Sequence, residues 1–161
     1  MTETNTMTAM KGITGIITTV AVTVLVAACS SRTAYSEYHN VPLDGWDKDS
    51  ALVFEVAVQD TLAAYNLVLS VRHGQEYPFQ NIWFFVENGL TGQTDTLEYY
   101  LADQRGRWLG NGFGDKHEMP CLIGQNVRFS HARPYLFKVR QGMREDRLSG
   151  ITEVGLTVEK Q

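Results

Sequence analysis

An antiparallel all-β sandwich is the fold this chain predicts, and three observations carry that prediction. Runs of β-branched and aromatic residues alternate with polar ones at a period of two. Glycine, asparagine and proline punctuate those runs, and no segment after residue 28 carries a three-turn amphipathic helical stripe. About eight or nine short strands at this spacing, with no internal repeat or linker, suit one two-layered domain.

The chain opens on something other than fold. After Lys11 comes "GITGIITTVAVTVLVAA", Gly12 to Ala28, without a charge or a proline. A cation, then an apolar run, then small residues is the pattern of a secretory signal, so residues 1–28 read as a signal peptide. The segment before Lys11 carries Glu3, which makes Met7 or Met10 an alternative start. Cys29 ends the run. It could be a lipid acceptor, the residue after a retained membrane span, or a buried core cysteine. The run is short for a span, which needs roughly 20 apolar residues, and four threonines dilute it. Val26-Ala27-Ala28-Cys29 instead resembles a bacterial lipobox: small side chains beside a cleavage point, and a thiol able to carry a thioether-linked diacylglycerol. Lipidation of Cys29 is the favoured reading, and two or three acyl chains would hold the domain firmly on a membrane.

Residues 29–40 are polar and lack a helical stripe, so they read as a short flexible tether. Some bacteria mark lipoproteins for surface export with acidic residues just after the cysteine. Ser30, Ser31 and Arg32 point instead to a periplasm-facing domain. Residues 41–161 then hold the β-sandwich. Strands are expected at "ALVFEVAV" (Ala51 to Val58), "AYNLVLSVRH" (Ala64 to His73), "NIWFFVEN" (Asn81 to Asn88) and "DTLEYYLA" (Asp95 to Ala102). Further strands are expected at "RWLGNGF", "CLIGQNV", "YLFKVRQ" and "GITEVGLTVEK". In the first, Leu52, Phe54, Val56 and Val58 face one way and Val53, Glu55 and Ala57 the other. Asn88-Gly89 and Asn111-Gly112 are expected to supply left-handed turn conformations. Tyr77-Pro78 and Arg133-Pro134 flank strands, where a missing amide donor costs least.

Charge and cysteine usage exclude several functions. A formal net charge of −4 gives no sign of nucleic-acid binding, which would favour a basic face. If Cys29 is lipidated, Cys121 has no partner for a disulfide; within "MPCLIG" it reads as buried and inert. "DGWDKD", Asp44 to Asp49, has Trp46, Lys48 and Asp49 where a calcium loop needs two ligands and a glycine. "GNGFG", Gly110 to Gly114, precedes no helix that could hold a phosphate, and reads as a bulged strand or turn. The histidines at 39, 73, 117 and 131 lack metal-ligand spacing, and no G-x-S-x-G elbow occurs. No catalytic residue, metal or cofactor is assigned.

Aromatic residues are the abundant chemical resource. Trp46, Trp83, Trp108, Tyr99 and Tyr100 could form a sugar-stacking face, a core, or a partner interface. Trp83, in "IWFFV", reads as core; Trp46 and Trp108, beside glycine and charge, read as candidate partner contacts. The segment "QGMREDRLSGI", Gln141 to Ile151, should connect two strands with Met143 and Leu148 tucked in. Its charges, Arg144 and Arg147 among them, would then project as a docking knob or as a plain solvated turn. Arg72 and Asp60 are either partly buried and hydrogen-bonded or solvated rim charges.

"WDKD" from Trp46, a run ending at Asp60, "YNLVLSVRH" from Tyr65, "YPFQNIW" from Tyr77, "GRWLG" from Gly106 and "MREDRLSGITEVGLTVEK" from Met143 occur in this order. Together with the lipobox, the set resembles the gliding-motility lipoprotein GldH family of Bacteroidota. That resemblance implies a non-enzymatic, membrane-anchored envelope lipoprotein serving gliding motility, a process tied to type IX secretion, with envelope proteins as partners. It carries over no catalytic residue, only the lipid-bearing cysteine, Cys29. A carbohydrate-binding β-sandwich lipoprotein is the alternative.

Overall fold

The computed structural model describes residues 32–161. The signal peptide, Cys29 and the first residues of the expected tether therefore lie outside the described residues. In chain order the strands are β1 (Thr33–Asn40), β2 (Trp46–Asp47), β3 (Leu52–Val56), β4 (Tyr65–His73), β5 (Asn81–Glu87) and β6 (Thr94–Tyr100). They continue with β7 (Asn111–Phe113), β8 (Lys116–Val127), β9 (Tyr135–Gln141), β10 (Arg147–Leu148) and β11 (Ile151–Lys160). One sheet runs β1-β11-β4-β8-β7, a second β3-β9-β5-β6, and β10-β2 forms a two-stranded ribbon. Every strand pair described is antiparallel, as the alternating patterns predict.

The period of two decides what goes inside. On β4, Tyr65, Leu67, Leu69, Val71 and His73 are buried. Val158, Leu156 and Val154 of β11 lie opposite Leu67, Leu69 and Val71 on the same face. The second sheet contributes Phe54 and Val56, Ile82, Phe84 and Val86, and Phe137 and Val139 to the same core. Each such side chain contributes about 1.5–3 kcal/mol on leaving water.

Three expectations need correction. First, the flexible tether is shorter than expected, because Thr33–Asn40 is a strand paired along β11 from Thr33↔Glu159 to Asn40↔Glu153. An edge strand meets one neighbour and much water, so its residues stay polar and hide the alternation. Second, the positive φ angles fall on Gly92, Gly110 and Gly114, and not on Gly89 or Gly112. The β5–β6 connection closes through Asn88 N to Gln93 O (2.8 Å) and Gly92 N to Asn88 O (2.7 Å), so the turn is longer than Asn-Gly alone would make. Third, "RWLGNGF" yields only the short β7, with Trp108 bridged to Ala102 ahead of it.

The register sorts the loops between two ends. Thr33, Val56, Tyr65, Val127 and Tyr135 lie at one end, where edge-on rings tie Tyr65 to Phe129 (5.6 Å) and Phe129 to Tyr135 (5.2 Å). Asn40, His73, Asn81, Lys116 and Gln141 lie toward the other.

Candidate functional site

Strand β5 reads Ile82-Trp83-Phe84-Phe85-Val86, apolar at every position, so composition cannot say which face is which. The structure does: Ile82, Phe84 and Val86 are buried, whereas Trp83 and Phe85 point outward at 36% and 38% exposure. Trp83 is therefore not the core residue expected. Register places Glu98 opposite Trp83, Tyr100 opposite Asn81 and Arg140 opposite Phe85, so this outer sheet face mixes rings with charges.

The segment after β9 folds over the edge of that face. Gly142 N donates to Trp83 O (2.6 Å), and Trp83 N lies 3.3 Å from Met143 Sδ. A Cβ on residue 142 would sit 3.2 Å from Trp83 Cβ and 3.3 Å from the Phe85 ring, so glycine is what lets the loop come this close. The buried Gln141 amide braces the loop from below: its Nε2 donates to Glu145 O (2.7 Å) and its Oε1 accepts from Met143 N (2.7 Å). The result is a groove of about 570 Å3 between Phe79, Asn81 and Trp83 on one side and Gly142 to Glu145 on the other.

The expected knob is present but half of it is spoken for. Leu148 is buried and Met143 packs against the core, as expected. Arg147 lies on β10, bound to Asp44 (2.8 Å) and Asp47 (3.5 Å), and Asp146 accepts from Lys48. Arg144 and Glu145, exposed at the groove, have no ion-pair partner among the described residues. Trp46 is no partner contact: it is 1% exposed, packs toward Phe84 at 6.2 Å, and donates Nε1–H to Ser50 O (3.0 Å). Glycine and charge beside it belong to the turn that carries it. Trp108 is half-buried, edge-on to His73 at 4.5 Å and tilted to His117 at 6.0 Å. Tyr100 is exposed on the outer face, while Tyr99 donates its hydroxyl to Leu122 O (2.6 Å).

Two polar constellations lie elsewhere. His73 and His117, far apart in sequence, face each other across β4 and β8 with rings stacked at 5.5 Å. His73 Nδ1 sits 3.0 Å from Gly74 O, which places its proton there; no third metal ligand joins the pair among the described residues. Burial lowers the His73 pKa, and His117 adds to that, while Gly74 and Glu76 oppose it. On the outer face of the first sheet, Arg72 stands between Glu153 of β11 and Glu118 of β8. It binds Glu118 (2.8 Å) and Glu153 and lies 4.1 Å over the Tyr38 ring, whose hydroxyl also donates to Glu118. Asp60 is not its partner; Asp60 binds Lys160 (2.6 Å) at the opposite end. Cys121 is buried as expected, its thiol pushed up to about 12 by desolvation.

The GldH lipoprotein family model matches residues 33–158. This chain belongs to the GldH lipoprotein family. The gliding motility lipoprotein GldH homolog of Christiangramia forsetii is 33% identical over 147 residues, covering 85% of this chain and 90% of that relative. The gliding motility lipoprotein GldH of Flavobacterium johnsoniae is 33% identical over 149 residues, covering 86% and 91%. The match begins at Thr33, the first residue of β1, so the edge strand counts with the family domain.

Proposed function

We propose that the chain is a non-catalytic docking component of the gliding motility machinery. Lipid on Cys29 holds it to a membrane of the cell envelope, and the groove between Trp83 and Arg144 seats an envelope protein. Family membership supports the setting: its named relatives are gliding motility lipoproteins. The observation that supports the groove is a pair of outward rings, Trp83 and Phe85, beside a loop braced by a buried glutamine. Rings and arginine on rigid backbone are the groups that dominate protein interfaces. The titratable groups with displaced pKa values, such as Arg72, Glu118, Asp60 and Cys121, lie in ion pairs or the core, and none lines the groove. That arrangement favours binding over catalysis. Confinement to a membrane plane raises effective concentration, so a small groove suffices for useful occupancy. Ser30, Ser31 and Arg32, just after Cys29, carry no acid, which supports a periplasm-facing domain.

A photo-crosslinking residue at Trp83 in living cells tests the proposal. Products with motility or secretion proteins from that position, absent from Leu122 on the other sheet, support it. Identical products from both positions would refute it. Carbohydrate binding is the second reading, favoured by Trp83, Phe85 and Tyr100 sharing one outward sheet face. Glycan retention lost on Trp83→Ala would select it.

A further inference from the structure

We propose that the sandwich end carrying Leu62, Arg128 and Arg133 is a membrane-contact surface that lies against anionic lipid headgroups. This rests on the reading of Cys29 as the lipid-bearing residue. The chain enters the fold at this end. Thr33 pairs with Glu159, and Lys160 N donates to Arg32 O (2.6 Å), so β1 begins at the end where β11 finishes. Cys29 is four residues before Thr33. A fully extended chain spans at most about 3.6 Å per residue, so a lipid on Cys29 holds this end within roughly 14 Å of its own attachment point. That distance is comparable with a headgroup layer plus one Debye length of about 8 Å.

What the end displays suits that position. Leu62 is 86% exposed in a bend at this end, where an adjacent interface could take it up. The turn is rigid: Asp60 Oδ1 accepts from Leu62 N (3.0 Å) and Ala63 N (3.2 Å), and Tyr65 Oη–H donates to Asp60 O (2.7 Å). Arg128 reaches across to donate to Leu62 O (2.8 Å), placing a guanidinium beside the exposed leucine. Arg133 lies 4.6 Å over the Tyr135 ring on the neighbouring loop, which is held by His131 N to Tyr135 Oη (3.1 Å).

This end carries cations as well. Arg32, Arg128 and Arg133 are exposed and make no ion pair among the described residues. Asp60, the carboxylate of the Leu62 turn, is bound by Lys160, which leaves Glu159 and Glu55, one residue before Val56, as the nearby strand-borne acids. Three exposed arginines without an ion pair among the described residues thus lie at the end nearest the anchor. Arginines at an anionic surface attract its headgroups, and an apolar side chain between them enters the interface. Such seating turns a point tether into an oriented mount. It directs the Trp83 groove, near the opposite end, away from the bilayer.

The test uses the mature lipidated chain in vesicles with roughly 30% phosphatidylglycerol, compared with phosphatidylcholine alone. A polarity-sensitive dye is placed by Leu62→Cys or, as control, by Phe113→Cys at the far hairpin; Cys121 is buried and stays unlabelled. Headgroup-borne quencher should act at least about threefold more strongly on the Leu62 position, with the excess growing in anionic vesicles. Replacing Arg128 and Arg133 together by serine should remove most of that growth. Equal quenching at both positions in a vesicle-bound, lipidated chain would overturn this inference and leave the Cys29 reading standing. A mature chain without lipid would overturn both.

Discussion

Arg72→Ala should cost about 2 kcal/mol of stability. Its guanidinium makes two charge-assisted contacts, Nε–H to Glu118 (2.8 Å) and Nη1–H to Glu153, and stacks 4.1 Å over Tyr38. The side chain keeps 35% of its surface in water, so solvent screens these interactions. Exposed pairs contribute roughly 0.2–1 kcal/mol each and a cation–π contact about 0.5–1. Losing the cation also leaves two carboxylates facing each other across β4. For a domain of this size, about 2 kcal/mol corresponds to a melting temperature lower by roughly 6–8 °C. The loss should depend on pH. Burial pushes the Glu118 carboxyl up, but bonds from Arg72 and Tyr38 outweigh it and hold its pKa below the ordinary 4.5. A depressed carboxyl stabilises the fold above the ordinary value and gives that stability up as pH falls through the depressed one. The gap between wild type and Arg72→Ala should therefore be full at neutral pH and narrow as pH falls through the depressed value. Thermal melts of the mature chain from neutral pH to strong acid measure both effects. An unchanged melting temperature at neutral pH would refute the reasoning.

Trp46→Ala should open a core cavity and cost about 3–5 kcal/mol, whereas Trp83→Ala should leave denaturant midpoints nearly unchanged and weaken co-purification of the envelope partner. The opposite ranking would mean that the faces of β5 are misassigned. Arg144→Ser should weaken partner capture at constant stability, and Arg147→Ser should lower stability by up to about 1 kcal/mol through its pairs with Asp44 and Asp47; equal stability loss in both variants contradicts this. His73 stays neutral in the fold, so stability should be held above its ordinary pKa of 6.5 and decline as pH falls through the lowered value. His73→Phe should flatten the melting-temperature profile across that window, and an unaltered slope would exclude His73 as the source.

Where alternation ran undisturbed, residues alone were sufficient. Tyr65 to His73 and Tyr135 to Gln141 were placed to within a residue, because one face of each strand is fully buried and the other is less so. β1 escaped notice because an edge strand carries mostly polar side chains whose partner, β11, is more than a hundred residues away. The tryptophans exchanged roles for a related reason. An all-apolar run such as "IWFFV" has no polar phase to reveal Trp83 as outward, and a two-residue strand such as β2 is too short to show Trp46 as inward. The Trp83 groove depends on Gln141 and Gly142 meeting β5, which is a fact of register. The same is true of His73 opposite His117 and of Arg72 between Glu118 and Glu153. A hint was present in the adjacency of Gln141, Gly142 and Met143 at a strand end, where a glycine permits close approach and an amide can brace a turn.

Work at a membrane surface, as proposed for this domain, stands on lipid at Cys29. Metabolic labelling with an alkyne fatty acid, comparing wild type with Cys29→Ala, tests it most directly. The prediction is a labelled, processed wild-type chain and an unlabelled variant that retains its leader. Equal label in both would contradict it.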